Sequence, residues 1–202
     1  MSGLRARSKQ RRRDYVLDAA ERLFRDQGYE RTTIEEIAGA SEVSIGTIYA
    51  YFGSKGGILG ALMQPVIEEM RCNGKAVIAR PPVRAVDAVA ALYEAYRFSN
   101  DWKHVNILKA FDPASRTNDP ELQKISDAFE TFIVDQIEEM LRKKKHEGRL
   151  LENIDVDDAV FILYHLLLDH FEEHLNARGG KTYEEILVDM HRRLRLLFLG
   201  WG

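Results

Sequence analysis

Residues 32–59 read TTIEEIAGASEVSIGTIYAYFGSKGGIL, and this stretch decides the fold. Thr33-Ile-Glu-Glu36 has the spacing of a capping box, in which a hydroxyl and a carboxylate three residues apart each take the other's backbone N–H. It starts a short helix through Ala40. Ser44 caps a second that runs to about Phe52, and Ser54 caps a third from Lys55 to about Val77. Ile34, Ile37, Ala38, Val43 and Ile48 form a packing set for two short helices, with Ala38 and Ala40 allowing close backbone approach. That leaves Ser44, Ile45, Gly46, Thr47, Tyr49 and Tyr51 outward on the second helix. A short helix showing hydroxyls, a small apolar side chain and a glycine suits the major groove of DNA. Thr47 and Tyr49 can donate to base edges or phosphates, Ile45 can meet a thymine methyl, and Gly46 permits close approach. Lys55 is expected at a phosphate, beside the free amides of the next helix.

Upstream, Val16, Ala20, Leu23 and Phe24 recur at helical spacing in a helix over about 9–27, which Gly28 can end in a left-handed cap. Ahead of it, residues 1–13 carry six arginines and lysines and no acid. The rest of the 202-residue chain holds 23 basic and 32 acidic residues, net −9. An acidic protein with one basic tip delivers positive charge to one place, so Arg11 and Arg12 are read as part of a phosphate-contacting arm.

Downstream, Arg80-Pro81-Pro82 breaks the chain, because consecutive prolines cannot sit inside a helix. Helices follow over about 83–99, 102–111 and 120–146, then from Asp155 to about Asn176 and from a second capping box at Thr182–Glu185 to near Leu199. The expectation is an all-α fold of about nine helices. Residues 1–53 would form a basic arm and three-helix helix-turn-helix domain, 54–79 a connecting helix, and 80–202 a larger helical domain. The helix from Asp155 is apolar nearly all round and must be buried on two sides. A homodimer is the simplest cover, with Leu163, Leu167, His170 and His174 pairing alongside Ile186, Met190, Leu194 and Leu197 of the last helix.

Segment 93–112 and the helix from Asp155 supply side chains suited to an apolar cavity with a few polar anchors: Tyr93, Tyr96, Trp102, Asn106, Phe111, Tyr164, His165 and Asp169. An aromatic stripe at helical spacing is more often plain core. His170 and His174 are spaced to share a metal, but His165 points about 140° away and no third ligand converges, so no metal or cofactor is expected. One cysteine, Cys72, excludes an internal disulfide and fits a reducing cytoplasm; no apolar run is long enough for a membrane span. Nothing resembles a glycine-rich phosphate loop or a nucleophile elbow, so an enzyme is not expected.

The segment over about 10–59 resembles the tetracycline-repressor (TetR) family of bacterial transcription regulators. The matching residues are Ala20, Leu23, Phe24, Gly28, Thr32-Thr33, Ile37-Ala38, Val43-Ser44, Gly46-Thr47-Ile48-Tyr49, Tyr51-Phe52, Lys55 and Leu59. The resemblance implies three DNA-binding helices, a connecting fourth, and a C-terminal ligand-binding domain that dimerises through its last two long helices. It places Thr33, Thr47, Tyr49, Tyr51 and Lys55 where relatives touch DNA. Glu42 stands where the turn often has glycine, and Gly56, Gly57 and Pro65 predict a softened connecting helix. The function expected is a repressor on a pseudo-palindromic operator, released by a small, largely apolar effector. The alternative is a constitutive or protein-cued DNA-binding protein without a small-molecule pocket.

Overall fold

The computed structural model describes residues 2–96, 107–111, 114, 118–176 and 180–201, and every regular element among them is helical. The helices are α1 (Ser2–Gln27), α2 (Ile34–Ser41), α3 (Ile45–Phe52), α4 (Lys55–Ala79), α5 (Ala85–Ala95), α6 (Pro120–His146), α7 (Val156–Asn176) and α8 (Tyr183–Phe198), with residues 107–111 also helical. None is long and apolar enough to cross a membrane. Trp102 and Asn106 lie outside the described residues.

The chain groups into two compact units, Met1–Ile67 with Ser99–Ala128, and Glu68–Phe98 with Phe129–Gly202. The sequence suggested a connecting helix between two consecutive domains. Instead, α4 and α6 each supply residues to both units.

In the first unit, apolar residues of α1 (Val16, Ala20, Phe24), α2 (Ile34, Ile37), α3 (Ile48, Phe52) and α4 (Ile58, Leu59) are buried. Ala38 is buried with them, whereas Ala40 is exposed. Thr33 caps α2 in the expected box: its Oγ accepts from Glu36 N–H and Glu36 Oε2 accepts from Thr33 N–H. Gly28 takes φ +85 at the end of α1. Glu42 takes φ 53, the conformation a glycine would adopt without strain. Its N–H reaches back to Gly39 O and that of Val43 to Ala38 O, so these two carbonyls near the end of α2 are satisfied and buried Val43 is drawn beneath the turn.

The second unit packs α8 against α5 and α7. Its buried face is drawn from Val86, Val89 and Leu92 of α5, Ile133, Ile137 and Leu141 of α6, Leu163 and Leu167 of α7, and Met190 and Leu194 of α8. Three consecutive lysines close the end of α6. Lys143 Nζ donates to Ile78 O, buried Lys144 to Glu147 Oε2 and Val83 O, and Lys145 to Ile154 O. Cations at a helix C-terminus are favoured by its dipole, and here they also saturate carbonyls of three other segments.

Candidate nucleic-acid interface

α3 is a two-turn helix with one buried side, Ile48 and Phe52. Its cap is Ser44, whose Oγ accepts from Thr47 N–H and lies 2.8 Å from Thr47 Oγ1. Ser44, Ile45, Gly46 and Tyr49 are exposed, and Thr47 and Tyr51 partly so. Half of the Tyr49 surface is open, and a methyl group added at Gly46 would meet nothing within 4 Å. The helix therefore offers a close-approach surface carrying three hydroxyl-bearing side chains, Thr47, Tyr49 and Tyr51, and an isoleucine. Thr33, on the preceding cap, is exposed as well.

The basic segment is not a loose arm but the first turns of α1, which begins at Ser2 rather than near residue 9. Arg11 and Arg12 are exposed, with Arg11 donating to Tyr15 Oη and Arg12 to Ser8 O within the helix. Lys9 and Arg13, one turn apart on α1, meet the end of α3: Arg13 Nη1 donates to Tyr51 O and its guanidinium lies 4.6 Å from the Phe52 ring centre, while Lys9 Nζ lies 5.5 Å from that of Tyr51. Stacked and hydrogen-bonded cations of this kind fix side chains as well as supply charge. Arg13 was overlooked in sequence, where nothing separates it from its five basic neighbours. Glu42 lines a groove with Asp18, Glu21, Arg22 and Arg25 of α1.

Lys55 departs from the expected picture. Its Nζ donates to Tyr29 O at 2.8 Å and Thr32 O at 3.0 Å, lies 3.4 Å from Glu30 O, and sits 4.2 Å from the centre of the Tyr29 ring. An ammonium has three N–H groups, and all three are engaged inside the chain. Burial holds the Lys55 ammonium below the usual lysine range and pushes the Tyr29 phenol up to about 12.

These features coincide with a match of residues 16–62 to the sequence profile of bacterial regulatory proteins of the tetR family. The chain is 31% identical over 175 residues to the HTH-type transcriptional regulator TcmR of Streptomyces glaucescens, covering 77% of this chain and 67% of TcmR. The chain belongs to the tetR family. Identity rises to 46% with the regulator HbdR of Aromatoleum sp. (strain CIB), but over 57 residues, 28% of this chain and 25% of HbdR. The likeness in fold reaches well beyond the matched segment: the crystal structure of the Bacillus subtilis transcriptional regulator FadR in complex with stearoyl-CoA aligns with a TM-score of 0.68 at 18% identity. It covers 89% of this chain and 96% of that one.

The remaining expected site residues fall less simply. In the second unit, Tyr93 and Tyr96 are fully buried; Tyr93 donates to Leu163 O and Tyr96 to Gln136 Oε1. Burial pushes both phenols well above the usual range, so both are neutral donors already committed within the core. Tyr164 is half-buried, with its phenol pushed up to about 12 by burial. His165 is exposed against Phe161 O, and exposed Asp169 pairs with Arg193 at 3.0 Å. Phe111 is buried and belongs to the first unit.

The expected pairing residues need correction. Leu163, Leu167, Met190 and Leu194 have no exposed surface in a single chain, and Ile186 and His170 have almost none. They are core, since a side chain without accessible surface has nothing to offer a second subunit. His174 and Leu197 are partly buried. The apolar side chains that do face outward are Phe161, Ile162 and Leu168 of α7, Val188 and Leu196 of α8, and Leu199 just beyond α8.

Proposed function

We propose that this chain is a repressor that binds a pseudo-palindromic operator as a homodimer, placing two copies of α3 in successive major grooves about 34–36 Å apart. The observation that carries the reading is the exposed face of α3, with Ile45, Gly46, Thr47 and Tyr49 open beside the basic turns of α1. Base edges are read by such side chains, while Arg11, Arg12 and the free amides near the caps of α2 and α3 hold the phosphates. Thr33 and Ser44, both exposed caps, sit at the ends from which a groove-bound helix is approached. Pairing falls to the outward apolar residues of α7 and α8, which single-chain folding leaves uncovered.

Release by a small, largely apolar effector completes the reading. Its support is the family membership and the fold shared with FadR, a protein captured with stearoyl-CoA. The Tyr93 and Tyr96 hydroxyls, already hydrogen-bonded inside the second unit, are not free anchors for such a ligand.

The test uses a duplex that the protein enriches from a random-sequence pool. Tyr49→Ala should weaken binding to it by about 1–3 kcal/mol and relax the preferred bases, as expected for a base-reading contact. An equal loss on every sequence would make Tyr49 a backbone contact. Addition of saturated acyl-CoA thioesters to the same titration tests the effector: reduced affinity supports a released repressor, and an unchanged one favours the constitutive alternative.

A further inference from the structure

The loop from Gly28 to Thr33 joins the end of α1 to the cap of α2, and an unusual number of bonds converge on it. Gly28 turns the chain, Thr32 Oγ1 donates to Gly28 O, and Thr32 N–H donates to Tyr29 O. The Tyr29 ring meets the edge of Phe24 at 5.2 Å. Into this ring of carbonyls comes Lys55, the first residue of α4. A cation at a helix N-terminus is disfavoured by the dipole of its own helix, so the side chain gains by leaving that end for the carbonyl-rich loop. Nearby are the Asp119 carboxylate, which raises the Tyr29 phenol, and Lys109 and Ala110, which face residues 27–31 across a small cleft.

All of these groups belong to the first unit. The loop is thus held at one point by the helix that leaves the DNA-binding domain. Thr33, at its end, caps α2, and α2 sets α3 through the Glu42 turn.

We infer that Lys55 is a positioning residue rather than a phosphate contact: its ammonium latches the Tyr29–Thr32 backbone onto the first turn of α4 and so sets how α2 and α3 are presented to DNA. The inference rests on the DNA-binding reading above. A phosphate could capture Lys55 only after removal of these hydrogen bonds; Tyr29 O would keep the Thr32 N–H, but the part-buried Thr32 O would lose the ammonium, which is costly. The latch therefore acts on recognition, while the phosphate attraction comes from elsewhere.

The test compares wild type with Lys55→Met by fluorescence anisotropy over a series of KCl concentrations. One probe is the duplex that wild type enriches from a random-sequence pool, the other poly(dI-dC). The latch predicts about a tenfold loss on the selected duplex, little change on poly(dI-dC), and an unchanged salt slope on both. A phosphate contact predicts losses on both and a slope shallower by about 0.9 for each contact removed, which overturns the latch. A lower melting temperature with both affinities intact overturns it too, as the lysine would then serve stability alone. If Lys55→Met loses its helical circular dichroism, Tyr29→Leu decides. It keeps every carbonyl and removes the ring beneath the ammonium, so the latch predicts the same selective loss, smaller in size. Equal affinities for wild type and Tyr29→Leu on the selected duplex would then count against the latch. If wild type enriches no sequence, the DNA-binding reading falls and the latch with it.

Discussion

His170 lies on the inner side of α7, 5% exposed, with no hydrogen-bond partner for Nδ1 among the described residues. Burial pulls its imidazole down to about 4; His174 and Arg193 act in the same direction and Glu173 and Asp169 against it. The histidine is therefore neutral in the folded chain at pH 7. The unfolded chain takes up a proton near pH 6.5, so between about 6.5 and 4 it holds more protons than the folded one, and stability falls as the pH falls. The loss over that window amounts to roughly 3 kcal/mol. His170→Leu keeps the volume and removes the titration. Its melting temperature should change less than that of wild type between pH 7 and pH 5, and an equally steep acid limb would place the sensitivity on other groups. The sequence reads this residue as part of a pairing face rather than as core, because a helix apolar nearly all round does not say which of its buried sides meets its own chain.

The first turns of α4 show where local reasoning ends. By propensity, Gly56 and Gly57 weaken a helix. Packing explains why they are there. A Cβ at Gly56 would overlap the Asp119 carboxylate, one at Gly60 the Ile125 side chain, and one at Gly57 the carbonyl oxygen of Phe52. Asp119 caps α6 by accepting from Glu121 N–H, so the glycines let the start of α6 lie directly on α4. The two ends of α6 were readable because their signals are local: Asp119-Pro120 at the start, and lysines followed by Gly148 at the end. The partner of Gly56 and Gly60 was not, since it lies some sixty residues along the chain. A pair of substitutions separates propensity from packing. Gly39→Ala, in an exposed part of α2 where an added methyl meets nothing, should stabilise by about 0.5–1 kcal/mol. Gly57→Ala gains the same propensity but drives a methyl into a backbone carbonyl that no rotamer change can move. It should be net destabilising by roughly 1–2 kcal/mol. Urea unfolding of the two variants checks both signs; stabilisation by Gly57→Ala would mean that the Ser54–Gly57 turn can relax.

Across the molecule, the all-helical class, the helix-turn-helix and the order of elements were legible because capping boxes, prolines and 3.6-residue periodicity are written along the chain. Which face of α7 turns inward was not. With Val160, Phe161, Ile162, Leu163, Leu166, Leu167 and Leu168 nearly continuous, periodicity leaves the phase of the helix undetermined. Packing against α8 resolves it: Leu163 and Leu167 are inside, while Phe161 and Leu196 each leave 64% of their surface open. Two kinds of substitution should consequently part company. Leu167→Ala empties core volume and should cost about 2–5 kcal/mol of stability, with any effect on pairing secondary to it. Phe161→Glu and Leu196→Glu alter side chains with no core role, so each folded monomer should keep its stability within about 0.5 kcal/mol. A carboxylate buried against its symmetry mate is another matter: an unpaired charge in an apolar interface is costly and, by two-fold symmetry, is met twice. The double variant should therefore sediment as a monomer with native helical circular dichroism. Its operator affinity should fall to that of a single half-site, and its melting temperature should lose the dependence on protein concentration that a pairing wild type shows. A double variant that still sediments as a dimer would move the pairing surface off α7 and α8 altogether.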